Sequence, residues 1–183
     1  HNLIDAYLAE SDWTRIDASI MWELVDWVDE YWNADNPDEW IPFAFKFKHA
    51  DGWNSGDQIY LIRLADILLL KAEAMAHLQQ GDYGRSIVDQ IRARVDLDPT
   101  TSTDAEMLDA ILKERRLELA FEAHRWDDLV RNDKAVGTMT SLKELNLITG
   151  EYIDYNANEN TLILPIPITE LDRNPNLVQN PGY

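Results

Sequence analysis

Between residues 114 and 131 the sequence places Glu114, Glu118 and Glu122 four residues apart and interleaves Arg115, Arg116 and Arg125 among them. Two of these carboxyl groups could serve as the acid and base of a glycoside hydrolase. That chemistry needs them facing each other across a cleft, about 5–9.5 Å apart and on different elements. Carboxylates stacked along one helix face do not supply this geometry. The charges read instead as a half-buried Arg–Glu network tying the helix to its neighbours, with Arg63, Glu73, Glu114, Arg115, Glu118, Glu122 and Arg125 as its members. No nucleophile elbow, P-loop or dinucleotide fingerprint occurs. His49, His77 and His124 stand alone in the sequence, and no His spacing suits zinc. The loop at 51–57 fails as an EF-hand, because positions three, five and twelve would be Trp53, Ser55 and Ile62. The chain is expected to be no enzyme and to carry no cofactor or metal.

The tryptophans offer a different chemistry. A flat indole covers the C–H face of a sugar ring and keeps an N–H donor at its edge, while nearby carboxylates accept from hydroxyls. Six of the seven Trp lie within residues 1–58, among them Trp27, Trp32, Trp40 and Trp53, the candidate ligand-binding residues. Asp35, Asp38, Glu39 and Asp57 lie near them in sequence. Trp22 and Trp27 are five residues apart, about 140° around a helix, so they cannot both face one partner. Trp126 sits in a helical motif and is expected in the core.

Charge separates the function classes further. The 183 residues carry 34 acidic and 16 basic side chains, a formal net charge of −18. Nothing in that balance displaces counterions from nucleic-acid phosphates or docks a basic face on anionic lipid. With 45% hydrophobic and 10% aromatic residues the chain has apolar area enough for a core. There is no Cys, hence no disulfide.

Three zones position these residues. Residues 1–58 form an acidic, aromatic opening segment, with a helix expected over 16–32 from Ile20, Leu24, Val28 and Tyr31. A short strand is expected where Phe43, Phe45 and Phe47 alternate with other residues. Residues 59–135 form a helical core. A helix over 60–80 and another over 83–95, burying Ile87, Ile91 and Val95, are joined at Gly81-Asp82-Tyr83, with Gly81 suited to a left-handed helix end. This hairpin resembles a tetratricopeptide unit, with Ser86 as the small residue that close packing calls for. A third helix opens at Thr103, capped reciprocally by Glu106, and continues towards Arg131. Residues 136–183 form an irregular C-terminal wrap stiffened by Pro165, Pro167, Pro175 and Pro181. The fold class is therefore mainly α, with tetratricopeptide-like hairpins, long irregular loops, little β and an extended Pro-rich tail.

Three stretches carry a family resemblance: IRLADILLLKAEA at 62–74, ERRLELAFEAHRWDDLVR at 114–131, and LPIPITELDRNPNLVQNPGY at 164–183. Together, in this order, they resemble the C-terminal part of the SusD/RagB family of outer-membrane glycan-binding lipoproteins, and DWTR at 12–15 resembles an upstream element of it. Ala123 departs from the Gly that this family usually has there, and Asp127 from an aromatic. The resemblance implies non-catalytic carbohydrate binding for nutrient uptake at the outer surface of the bacterial outer membrane. It implies polysaccharide or oligosaccharide as ligand, delivery to a SusC-like TonB-dependent transporter, and membrane contact only through a lipid anchor outside this chain. It also implies that the chain is the C-terminal portion of a longer protein, because a lone helical hairpin lacks the neighbours on which such repeats stack. The alternative is a helical-repeat adaptor that binds a protein partner.

Overall fold

The computed structural model describes residues 2–23, 41–47, 59–144, 146 and 149–183. Their elements are α1 (Asn2–Glu10), α2 (Trp13–Ser19), β1 (Ile20–Glu23), β2 (Ile41–Ala44), α3 (Leu64–His77), α4 (Gly81–Ala93), a 3-10 turn (Asp104–Glu106) running into α5 (Met107–Glu118), α6 (Arg125–Arg131), α7 (Ala135–Ser141), a second 3-10 turn (Glu159–Leu162) and α8 (Ile168–Arg173). The fold is mainly α. Two compact units divide it, the first holding the described residues up to Arg125 and the second those from Trp126 onward.

In the first unit, α3 and α4 form an antiparallel hairpin against which α5 packs. Ala65, Leu69 and Ala72 of α3, Ile87, Val88 and Ile91 of α4, and Met107 and Ile111 of α5 make one buried cluster. The small residues of α3 let α4 approach closely. At that contact a Cβ on Gly84 would stand 3.1 Å from the Ala72 carbonyl oxygen. Gly84, rather than Ser86, is the small residue of the interface: Ser86 is exposed and donates its hydroxyl to the Tyr83 carbonyl at 2.8 Å.

The hairpin turn also differs from the sequence expectation. Gly81 is the first residue of α4, not a left-handed cap. The left-handed position belongs to Gln79 (φ 59°), flanked by hydrogen bonds from Gln79 N to Ala76 O (3.0 Å) and Gln80 N to Met75 O (2.8 Å). This is a Schellman closure of α3. Gly81 instead sits close to the next turn: a Cβ there would lie 2.7 Å from Asp104 Oδ1, the tip of an exposed side chain that would have to swing aside.

A second cluster joins the N-terminal helices to α5 through Tyr7, Ile16, Ile20, Leu117 and Ala120. Tyr7 donates its hydroxyl to the Leu117 carbonyl at 2.7 Å. Burial pushes the Tyr7 pKa up to about 12.

The helix expected over 16–32 ends at Ser19. From Ile20 (φ −129°, ψ 125°) the backbone is extended, and β1 pairs antiparallel with β2 in the register Ile20↔Ala44, Met21↔Phe43, Trp22↔Pro42, Glu23↔Ile41. Ile and Trp are good strand formers, and a pairing partner decides between the two periods. Residues 24–32 lie outside the described residues. The strand expected at Phe43, Phe45 and Phe47 exists two residues earlier in the chain, and Phe45 N continues it by donating to Ser19 O at 2.8 Å.

The Thr103 cap forms as expected, with Thr103 N donating to Glu106 Oε2 at 2.9 Å. The helix it starts does not reach Arg131. α5 stops at Glu118, and Phe121 (φ 66°) and Ala123 (φ 64°) take left-handed conformations before α6 begins. Ala123 thus occupies a backbone position that favours Gly.

In the second unit the tail is not simply extended. Residues 168–173 are helical, and the chain then doubles back on itself. Gln179 accepts from Ile166 N (2.8 Å) and donates to Ile166 O (2.9 Å), while Asn180 Nδ2 donates to Leu164 O (2.7 Å). Side-chain amides here supply the partners that Pro165 and Pro167 deny to a backbone ladder.

Candidate functional site: a buried charge cluster in the first unit

The residues with the densest polar chemistry meet where α2, the end of β2, the start of α3, the end of α4 and the end of α5 converge. Asp12 begins α2 and accepts from Arg15 N at 3.1 Å, which fixes the first turn and aims the Arg15 side chain inward. The guanidinium pairs through Nε with Asp12 and through Nη1 with Glu114 Oε1 (2.8 Å) and Glu118 Oε2 (3.4 Å). Arg63 Nη1 meets Glu118 Oε1 at 2.7 Å. Its Nε and Nη2 form a fork on Glu122 at 2.7 and 2.8 Å. Lys46 reaches Glu122 Oε1 at 2.5 Å and the Glu118 carbonyl at 2.7 Å, and Arg94 pairs with Glu118. Arg92 Nη1 bridges Glu10 (2.8 Å) and Glu114 Oε2 (3.3 Å).

Both oxygens of Glu114, Glu118 and Glu122 are engaged by cations, an arrangement that holds side chains in place rather than freeing a carboxyl to exchange protons. Glu122 sits in the turn after α5, not on the same helical face as Glu118. Burial by itself raises the Glu122 pKa, but hydrogen bonds from Arg63 and Lys46 outweigh it and hold the carboxyl below its ordinary value. Glu114 lies the other way: burial pushes it up, and Arg15 and Arg92 only partly offset that. Burial lowers the Lys46 ammonium, with Glu122 partly restoring it.

The other network candidates are placed as follows. Arg115 is buried and pairs with Asp66 of α3, Nη2 to Oδ1 at 2.9 Å and Nη1 to the Asp66 carbonyl at 3.2 Å. Glu73 is buried on α3, and Arg125 Nη1 reaches the Leu112 carbonyl at 3.5 Å. Trp27, Trp32, Trp40 and Trp53 all lie outside the described residues, as does the loop at 51–57. Among the described tryptophans, Trp13 is 60% exposed and Trp22 is 41% exposed. Trp126, expected in the core, is 41% exposed. Among the described residues no group of His, Asp or Glu side chains is arranged to hold a metal ion.

Asp12, Arg15, Lys46, Arg92 and Arg94 are members of this cluster that the expected network did not include. The cations stand far in sequence from the glutamates they meet, 99 residues for Arg15 to Glu114, 22 for Arg92 to Glu114 and 24 for Arg94 to Glu118, while Lys46 reaches the Glu118 carbonyl across 72 residues and the Glu122 carboxylate beyond it, so no local pattern marks them.

Residues 40–183 match the SusD family. A SusD-like protein, P38, of Formosa agariphila is 38% identical over 135 residues; the match takes in 68% of this chain and 24% of that protein. The chain therefore spans about a quarter of that relative's length, and 27% of a second, SusD-like protein P2 of the same organism, at 33% identity over 73% of this chain. Among solved structures, a laminarin binding SusD-like protein superposes on all of this chain with a TM-score of 0.65 and 32% identity, over 37% of its own length. A SusD superfamily protein from Bacteroides vulgatus superposes with a TM-score of 0.75 at 23% identity, over 44% of its length, a likeness of fold alone.

Proposed function

The chain belongs to the SusD family, and from that premise we propose that it is part of a non-catalytic glycan-binding protein serving nutrient uptake at the surface of the bacterial outer membrane. The protein captures a polysaccharide or oligosaccharide and passes it to a SusC-like TonB-dependent transporter, held to the membrane by a lipid anchor outside this chain. The observation that carries the reading is the likeness, over all of this chain, to a structure described as laminarin binding. Trp27, Trp32, Trp40 and Trp53 are the proposed stacking residues. Arg63, Glu73, Glu114, Arg115, Glu118, Glu122 and Arg125 form the scaffold that holds the surrounding helices. In this reading the chain is the C-terminal portion of the protein, and preceding helices cover the outer face of α3, where Leu64, Ile67, Leu70 and Leu78 are exposed.

A titration of the protein with a panel of neutral and charged polysaccharides, read by tryptophan fluorescence, tests it. Saturable quenching or enhancement by at least one glycan, lost on Trp40→Ala or Trp53→Ala, is the expected result. No response to any glycan overturns the reading. The same apolar stripe on α3 favours the second reading, a helical-repeat adaptor for a protein partner. Saturable binding of a helical peptide to this face, abolished by Ile67→Asp, in the absence of any glycan response, would establish it instead.

A further inference from the structure

The chain carries 16 cationic side chains against 34 acidic ones, yet four of those cations, Arg15, Lys46, Arg63 and Arg94, line a single cavity of about 320 Å³ in the first unit. One carboxylate, Glu118, shares its wall; Asp12, Glu114 and Glu122 pair with the same cations. The side chains are graded in depth. Arg94 at the mouth is 56% exposed, Lys46 and Arg63 are partly buried, and Arg15 at 6% exposure is deepest. Ala18, Val95 and the aliphatic stems of the cations supply an apolar lining.

Arg15 shows that the cluster is not saturated by its own carboxylates. Its Nε and Nη1 are paired, but its buried Nη2 has no hydrogen-bond partner among the described residues. A buried guanidinium donor left unpaired is costly, and such a group calls for a missing acceptor. The four cations are matched in number by Asp12, Glu114, Glu118 and Glu122, so what the cluster leaves open is donors rather than net charge: the buried Nη2 of Arg15 and the half-exposed guanidinium of Arg94. A cavity of this volume holds about one sugar ring, since ligand sites begin near 300 Å³. The mixture of aliphatic stems and guanidinium forks suits a pyranose face bearing a planar or tetrahedral oxyanion.

We propose that this cavity binds a carboxylate or sulfate ester carried on a sugar ring, so that the protein selects an acidic glycan. The proposal rests on the glycan-binding reading above and names the substrate class within it. Arg94 and Lys46 receive the oxyanion at the mouth. Arg63 and Arg15 adjust their existing pairs to take up the remaining acceptor, and the ring packs on the Ala18 and Val95 side.

The test is isothermal titration of the full-length protein with methyl glucuronide, glucose 6-sulfate, methyl glucoside and inorganic sulfate. The expected result is a preference of about tenfold or more for both acidic sugars over the neutral one, reduced about fivefold or more by Arg94→Gln and largely restored by Arg94→Lys, as for a charge-assisted contact. The Lys46→Met protein, with its fold checked by circular dichroism, should show the same loss of preference. Equal binding of acidic and neutral sugars, or a preference that survives both Arg94→Gln and Lys46→Met, overturns the acidic-glycan site while leaving glycan binding intact. Inorganic sulfate bound as tightly as the sulfated sugar overturns the sugar-borne ligand. Failure of every sugar and every neutral polysaccharide overturns both readings together.

Discussion

Arg15 and Glu114 stand 99 residues apart in the chain, and their side chains meet at 2.8 Å with both groups buried. Through this pair the N-terminal helices are fastened to α5, the helix that also closes the α3–α4 hairpin. Removing the cation leaves Asp12, Glu114 and Glu118 without their shared partner in a poorly solvated interior. Arg15→Met is therefore expected to destabilise the protein by about 3–5 kcal/mol. Adding Glu114→Gln should recover part of the loss, because it removes one of the stranded charges. Urea denaturation of the two single variants and the double variant measures both effects.

Glu122 connects this cluster to acid stability. Its folded pKa lies below the ordinary carboxylate value of 4.5, so its contribution is present above that pH. It is lost as pH falls from there through the folded pKa, where the native state has fewer protons bound than the unfolded chain. The Glu122→Gln protein should be less stable at pH 7 and should lose less of its stability on acidification than the parent. Glu114, raised by burial, works in the opposite direction, so the comparison must be made between variants at Glu122 alone. Thermal melts between pH 3 and pH 7, a window of about 4 units bracketing the reference carboxylate pKa, provide the readout.

Tyr7 supplies the alkaline counterpart. Its pKa of about 12 means that the folded state keeps the phenol protonated where the unfolded chain, with its value of 10.0, does not. The stability it contributes is complete below pH 10 and declines as pH rises towards 12, by about 2–3 kcal/mol in all. Tyr7→Phe removes that slope, and at neutral pH it costs about 1 kcal/mol through the lost hydrogen bond to Leu117 O. Denaturation curves of parent and variant should therefore converge or cross as the pH is raised.

Among the non-glycine residues that hold left-handed backbone at helix ends are Gln79 (φ 59°) after α3 and Ala123 (φ 64°) before α6. An L side chain in that region costs about 1–2 kcal/mol, offset in part by the greater unfolded-state freedom of glycine. Gln79→Gly and Ala123→Gly are each expected to stabilise the protein by about 0.5–1 kcal/mol, read as a raised thermal midpoint.

Gly84 tests the hairpin itself. A methyl group there would lie 3.1 Å from the Ala72 carbonyl oxygen, so Gly84→Ala sets the usual helical gain of about 1 kcal/mol against a tight contact and should be near neutral. Gly84→Val cannot be accommodated without parting α3 from α4, and a loss of about 2–3 kcal/mol in chemical denaturation is expected.

The hairpin, its apolar faces and the Thr103 cap were legible from the sequence because each depends on contacts within a few turns of helix. Residues 62–74, 114–131 and 164–183 carried the family resemblance for the same reason: they are continuous strings. Ile20–Glu23 read as helix because its strand partner, Ile41–Ala44, is invisible to a local period. The break after Glu118 carries no glycine in this chain, since Phe121 and Ala123 take the positive φ there, and the only mark of it in the sequence is the family's Gly at the position of Ala123.

Side-chain types and local periods settled the α3–α4 hairpin, the start of α5 behind its Thr103 cap, and the excess of acid over base. Tertiary packing alone brought Arg15, Lys46, Arg63 and Arg94 onto one cavity around Glu118, from five separate elements and loops. The physical reason lies in range. Helix formation is governed by hydrogen bonds four residues apart, whereas a charge finds its partner wherever the folded chain excludes the water that would otherwise solvate it.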